Sequence, residues 1–182
     1  AIKRACLTFP TGTGLGWDAI HPRALLRLSD ETWDWLADVL RHCEITGVWP
    51  DEVSIVIIAL LPKTDGGLRP IGLVPVLPKV WFRARKHVVD EWDKCHFYPF
   101  IYAGKGMGAN VAAWKQAARA ELASTGRFRV SYAQALLDLV KAFDRIPHWL
   151  IVREAIELGF PLWFIKLSLA TYKLTRVIRI QQ

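Results

Sequence analysis

The chain reads as a mixed α+β protein. Three observations point there. Helical apolar spacing alternates with short β-branched runs along the whole length. A tight-turn signal, Thr64-Asp65-Gly66-Gly67, sits between two such runs. The expected order, α-α-β-β-α-α-β-α-α-β, has neither the regular βα alternation of a doubly wound sheet nor the strand-only pattern of a sandwich. With 182 residues, 52% of them hydrophobic, the chain can bury a sizeable core, which argues against wholesale disorder.

In order, the opening to Gly16 is rich in Gly, Thr and Pro and reads as a loop or arm. Pro22 suits the first turn of a helix over residues 22–28. Ser29 or Asp30 can cap the next helix, which runs to about Glu44 and stops near Gly47. Its inward set is Trp33, Leu36, Val39 (or Ala37), Leu40 and Cys43. Residues 53–61 are β-branched and apolar and read as a buried strand. Residues 68–74 form the returning strand, and Pro70 confines that strand to an edge. A helix is expected over 78–93, carrying Val80, Phe82 or Trp81, Val88 and Val89 inward. Residues 96–108 read as a loop holding Gly104, Gly106 and Gly108. An alanine-rich helix follows over 109–124, then a strand over 128–140. Helices are expected over 147–158, stopped by Gly159, and over 161–172, and a last strand begins at about Arg176.

The formal charge is +7, from 24 Lys+Arg against 17 Asp+Glu. That excess permits attraction to nucleic acid or to an anionic membrane surface. Cys6, Cys43 and Cys95 stand far apart with no C-x-x-C pair, so neither a zinc site nor a redox motif is suggested. Their odd number fits a reducing intracellular compartment. No apolar run approaches the length of a membrane-spanning helix. Ala1-Ile2-Lys3-Arg4 has neither an initiator Met nor the look of a signal peptide, so the chain is expected to be a piece of something longer. Nine tryptophans suggest that some face a protein partner, since Trp is enriched at interface hot spots.

Three constellations carry chemistry. In Pro62-Lys63-Thr64-Asp65-Gly66-Gly67-Leu68-Arg69 a hairpin has a cation on each arm. Lys63 is a point charge and Arg69 a planar fork, together able to grip a polyphosphate. The same residues also suit an ordinary solvated hairpin. In Leu136-Leu137-Asp138-Leu139-Val140-Lys141-Ala142-Phe143-Asp144 an apolar run ends in a carboxylate. Buried, Asp138 needs a cation, and magnesium is a fitting one; Phe143 could wall a sugar pocket. Asp138 and Asp144 equally suit helix capping, the favoured reading for Asp144. In Tyr102-Ala103-Gly104-Lys105-Gly106-Met107-Gly108 the glycines permit close backbone approach to a ligand and Lys105 adds charge, although a plain flexible loop has the same composition. The five histidines show no metal-ligand spacing.

Taken in order, these segments resemble the reverse transcriptases of non-LTR retrotransposons. Thr13-Gly14-Leu15-Gly16-Trp17-Asp18-Ala19-Ile20-His21-Pro22 is similar to the family's opening block. Ile58 to Lys63 with Leu68 to Leu73 is similar to its fingers hairpin, and Val76-Leu77-Pro78-Lys79-Val80-Trp81 to the helix start after it. Tyr102 to Asn110 resembles the template-side glycine block. Leu137 to Asp144 with Ile146-Pro147-His148 resembles the first catalytic block of the palm. The resemblance implies an N-terminal arm (1–16), a fingers-like region (17–127) and a partial palm (128–182). It implies Asp138 as a catalytic, magnesium-binding carboxylate and Phe143 as the gate against a ribose 2′-hydroxyl. Lys63 and Arg69 would hold the incoming triphosphate, and Gly104, Lys105 and Gly106 would lie near the template. RNA template, DNA primer and a nuclear or cytoplasmic location follow from the same resemblance. The family's second catalytic block is a pair of adjacent aspartates preceded by Pro-Gln-Gly, and neither occurs in this sequence. Two-metal catalysis draws carboxylates from both blocks. The chain is therefore expected to be inactive alone. The alternatives are a non-enzymatic, retroelement-derived subunit of a larger assembly, or a nucleic-acid-binding module.

Overall fold

The computed structural model describes residues 1–64, 66–102, 106–125, 132–135, 137 and 145–179. It is mixed α+β, with a small three-stranded sheet. Two compact units divide the chain: residues 1–87 with 147–182, and residues 88–146.

In the first unit, α1 (Ile2–Leu7) precedes a 3-10 helix (Pro22–Arg27) and α2 (Asp30–Thr46). The opening is thus not a loop throughout. Six of its residues form a helix that buries Ala5 and Cys6, and tertiary burial supplies what so short a helix lacks in intrinsic stability. For α2 the cap expected at Ser29 forms, its hydroxyl accepting from the Thr32 N–H. Such a cap contributes about 1 kcal/mol. Gly47, at φ +71°, ends the helix in the left-handed region. The inward face is Trp33, Leu36, Leu40 and Cys43; Val39 and Ala37 are half-buried.

Strand β1 (Ile55–Pro62) pairs antiparallel with β2 (Leu68–Leu73) and parallel with β3 (Thr175–Arg179). The order is β2-β1-β3. Pro70 lies on an edge strand, as its missing N–H requires. The strand expected over 53–61 is only partly buried: Val53 and Val56 are buried, and Val56 is the one such residue within β1. Instead of a single helix after the sheet, α3 (Val76–Ala84) and α4 (Lys86–Cys95) are separated at Arg85. Val80 and Trp81 are fully buried, whereas Val88 and Val89 are half-buried.

Helices α6 (His148–Glu157) and α7 (Leu162–Tyr172) lead into β3, with Gly159 at φ +64° between them. One core joins Cys6, Phe9, Trp33, Leu36, Val76 and Val80. A second is aromatic. Trp81 meets Phe164 at 4.9 Å, Phe82 at 4.9 Å, Trp49 at 5.7 Å and Trp163 at 6.4 Å between ring centroids. The indole N–H of Trp49 donates to the Thr171 hydroxyl at 2.9 Å. Three tryptophans, Trp33, Trp49 and Trp81, therefore serve the core, while Trp35, Trp114 and Trp149 are each more than 60% exposed.

In the second unit, α5 (Ala109–Ser124) matches the expected alanine-rich helix and buries none of its residues within the described chain. Of the strand expected over 128–140, only residues 132–135 and 137 are described, and these carry no regular structure. Among the described residues no helix is long and apolar enough to cross a membrane.

Candidate functional site: a two-cation hairpin

The hairpin between β1 and β2 closes on Gly66 and Gly67, at φ +82° and +85°. Both occupy the left-handed region that side chains disfavour. Lys63 N–H donates to the Gly67 carbonyl at 3.1 Å, and Gly66 N–H to the Lys63 carbonyl at 3.3 Å. The register pairs Leu61 with Arg69. Side chains alternate faces with a period of two, and paired residues share a face. Lys63, two residues beyond Leu61, therefore shares Arg69's face as its diagonal neighbour, at a backbone separation of about 7–8 Å. Both are exposed, and neither has a carboxylate partner among the described residues. Two cations of unlike geometry thus flank one turn.

Behind them the same face continues as Ala59, Ile57, Ile71, Leu73 and, across the parallel pairing, Val177. Leu61, Ile71 and Val177 are 46%, 37% and 46% exposed, so the apolar strip is open to solvent.

The opening block fixes the root of this hairpin. Asp18 Oδ2 accepts from the Val76 N–H at 2.6 Å, capping α3 from 58 residues away. Pro75, at the N-cap position itself, supplies no side-chain cap. Lys79 Nζ donates to the Gly14 carbonyl at 2.5 Å. Burial pulls the Lys79 ammonium below its usual pKa, against the opposing pull of Asp18. A Cβ at Gly16 would meet the Val74 carbonyl oxygen at 2.6 Å and Pro75 Cα at 2.8 Å. Gly16 is required because backbone lies against backbone there. Sequence spacing gave Asp18 no role; the only local signal is that Asp is a favoured cap, and its helix lies beyond the hairpin.

Glu44 was also missed. Its Oε1 accepts from the Trp81 indole N–H at 2.7 Å and from Arg85 Nε at 2.6 Å, and its Oε2 from Arg85 Nη2 at 3.1 Å. This bidentate pair ties α2 to the end of α3 and holds Arg85 where α3 stops.

Asp138, Phe143, Asp144, Gly104 and Lys105 lie outside the described residues. Gly106 is described, at φ +77° with nothing within 4 Å of a would-be Cβ. In the same unit, the Lys115 ammonium sits 5.2 Å from the Tyr102 ring centroid. Among the described residues no group of three or more His, Cys, Asp or Glu side chains is placed to hold a metal ion. His21 instead caps the 3-10 helix, its Nδ1 accepting from the Arg23 N–H at 3.1 Å. No protein-family model and no curated protein matches the chain.

Proposed function

We propose that this chain forms the fingers and leading palm of a non-LTR-type reverse transcriptase, binding a nucleoside triphosphate but not polymerising unaided. The observation that carries the reading is the placement of Lys63 and Arg69 on one face of a glycine-closed hairpin, without carboxylate partners among the described residues. An arginine fork beside a lysine point charge suits the oxygens of a triphosphate. The order of the sequence blocks supports the same reading, as does the clasp of the opening block on the hairpin's root.

Magnesium enters through the resemblance, with Asp138 as one ligand. The donor set in this sequence does not fit a two-ion centre, because the adjacent aspartates of the second block are missing. No metal-dependent step is assigned to this chain. What its own residues would do at the hairpin is hold the triphosphate between Lys63 and Arg69; the resemblance implies Gly104, Lys105 and Gly106 for the template and Phe143 for the sugar.

Titration with a deoxynucleoside triphosphate tests this. A charge-assisted hydrogen bond contributes about 1.5–3 kcal/mol. Lys63→Ala or Arg69→Ala should therefore weaken binding roughly ten- to a hundredfold. Templated primer extension by the chain alone should give no product. Equal affinity in the variants, or templated synthesis, would overturn the proposal.

A second reading, an interaction subunit of a larger assembly, rests on Trp35, Trp149, Ile45 and Val48. Each is more than 60% exposed, in a unit that buries Trp33, Trp49 and Trp81.

A further inference from the structure

The first unit holds an open cavity of about 700 Å³ between the segment that follows α2 and one face of α6 and α7. It plays no part in the hairpin site. Its floor is apolar, with Val53, Val152, Ile165 and Leu169 among the lining residues. Lys166 and Lys173, both exposed, stand on its rim. Neither has a carboxylate partner among the described residues. Asp51 is the one carboxylate in the described lining.

The spacing of the two lysines narrows the choice of occupant. Seven residues is close to two full turns, and Lys173, the residue that ends α7, keeps a helical backbone (φ -86°, ψ -7°), so the two lysines fall on one face of the helix about 10 Å apart along its axis. A single anionic head, such as that of a fatty acid, could answer only one of them. A helix with an apolar stripe, flanked by carboxylates also seven residues apart, answers both and fills the floor between them. The Lys166 stem helps shape the groove. It lies over Gly47, where a Cβ would come within 2.4 Å of Lys166 Cδ.

We propose that this groove docks an acidic amphipathic helix of a partner protein, with Lys166 and Lys173 pairing with its carboxylates. The site is separate from the triphosphate hairpin and does not depend on that reading.

The test uses two synthetic helical peptides with the same leucine stripe, one flanked by glutamates seven residues apart and its twin by lysines. The whole chain should bind the glutamate peptide at least tenfold more tightly, with affinity falling as salt rises. A Lys166→Glu/Lys173→Glu variant should reverse the preference, whereas Lys166→Arg/Lys173→Arg should keep it. Lys63→Ala/Arg69→Ala should leave peptide binding unchanged, which separates this proposal from the functional one. Circular dichroism should show all variants folded, since both lysines are exposed. Equal binding of the two peptides, or of neither, would overturn the proposal. So would no reversal in the swapped variant, tighter capture by phosphatidylserine vesicles than by the glutamate peptide, or self-association that buries the groove.

Discussion

Replacing Glu44 by Ala removes three acceptor contacts at once, at a point where two helices depend on them. The Trp81 side chain is 1% exposed, so its indole N–H loses its partner with no access to water. An orphaned buried donor costs about 1–3 kcal/mol. The Arg85 side chain is 32% exposed and that of Glu44 is 14% exposed. The guanidinium can therefore turn partly to solvent, and its loss stays below the roughly 3–5 kcal/mol of a fully buried broken pair. Together these place Glu44→Ala at about 3 kcal/mol of destabilisation. At about 2–4 °C per kcal/mol for a chain of this size, the melting temperature should fall by roughly 6–12 °C. Glu44→Gln keeps an acceptor for the indole and should cost about half as much. Urea unfolding followed by tryptophan fluorescence gives the energies. A double-mutant cycle with Arg85→Ala isolates the ion pair, with a coupling of about 1–2 kcal/mol expected. A Glu44→Ala variant within about 0.5 kcal/mol of the parent, the range of an ordinary surface change, would refute the role given to Glu44.

Gly16→Ala should destabilise by about 1–3 kcal/mol in chemical denaturation, because its Cβ meets backbone atoms that cannot give way. Gly12→Ala, with nothing within 4 Å, should be neutral or slightly stabilising. Burial pushes the Cys6 thiol up from 9.0 to about 11 and raises that of Cys43. The folded state then holds these protons while the unfolded state releases them, so the Cys6 contribution is complete below pH 9 and is lost between pH 9 and about 11, and that of Cys43 falls in the same direction. Lys79 acts in the opposite sense, since its lowered pKa makes the unfolded state bind more protons at alkaline pH. The clean readout is thus the slope of stability against pH, which should be shallower in Cys6→Ala than in the parent. Cys95 is exposed while Cys6 and Cys43 are buried, so a thiol-labelling time course should show one fast site and two that wait for unfolding.

Much of the fold was legible because its signals are local. Ser29 and Gly47 mark the ends of α2, and the Gly66-Gly67 turn with Pro70 on an edge strand follows from backbone chemistry alone. α1 was hidden, since a six-residue helix beside Gly, Thr and Pro carries little periodicity and depends on the burial of Ala5 and Cys6. The interruption at Arg85 was hidden too, because no Pro or Gly marks it. The parallel pairing of β3 with β1 joins residues more than a hundred positions apart, beyond any local pattern. At the site, the two cations were legible as residue types on two arms. Their shared face was not, because it depends on the register that pairs Leu61 with Arg69. Asp18 and Glu44 act on helices distant in sequence, so only their identity as a capping or pairing carboxylate was readable.

Amide chemical-shift mapping during titration with a deoxynucleoside triphosphate reports where the ligand lands. The largest shifts should fall on the hairpin amides between Lys63 and Arg69 and vanish in Lys63→Ala/Arg69→Ala. Shifts that spare the hairpin, or that persist unchanged in the double variant, would contradict the account.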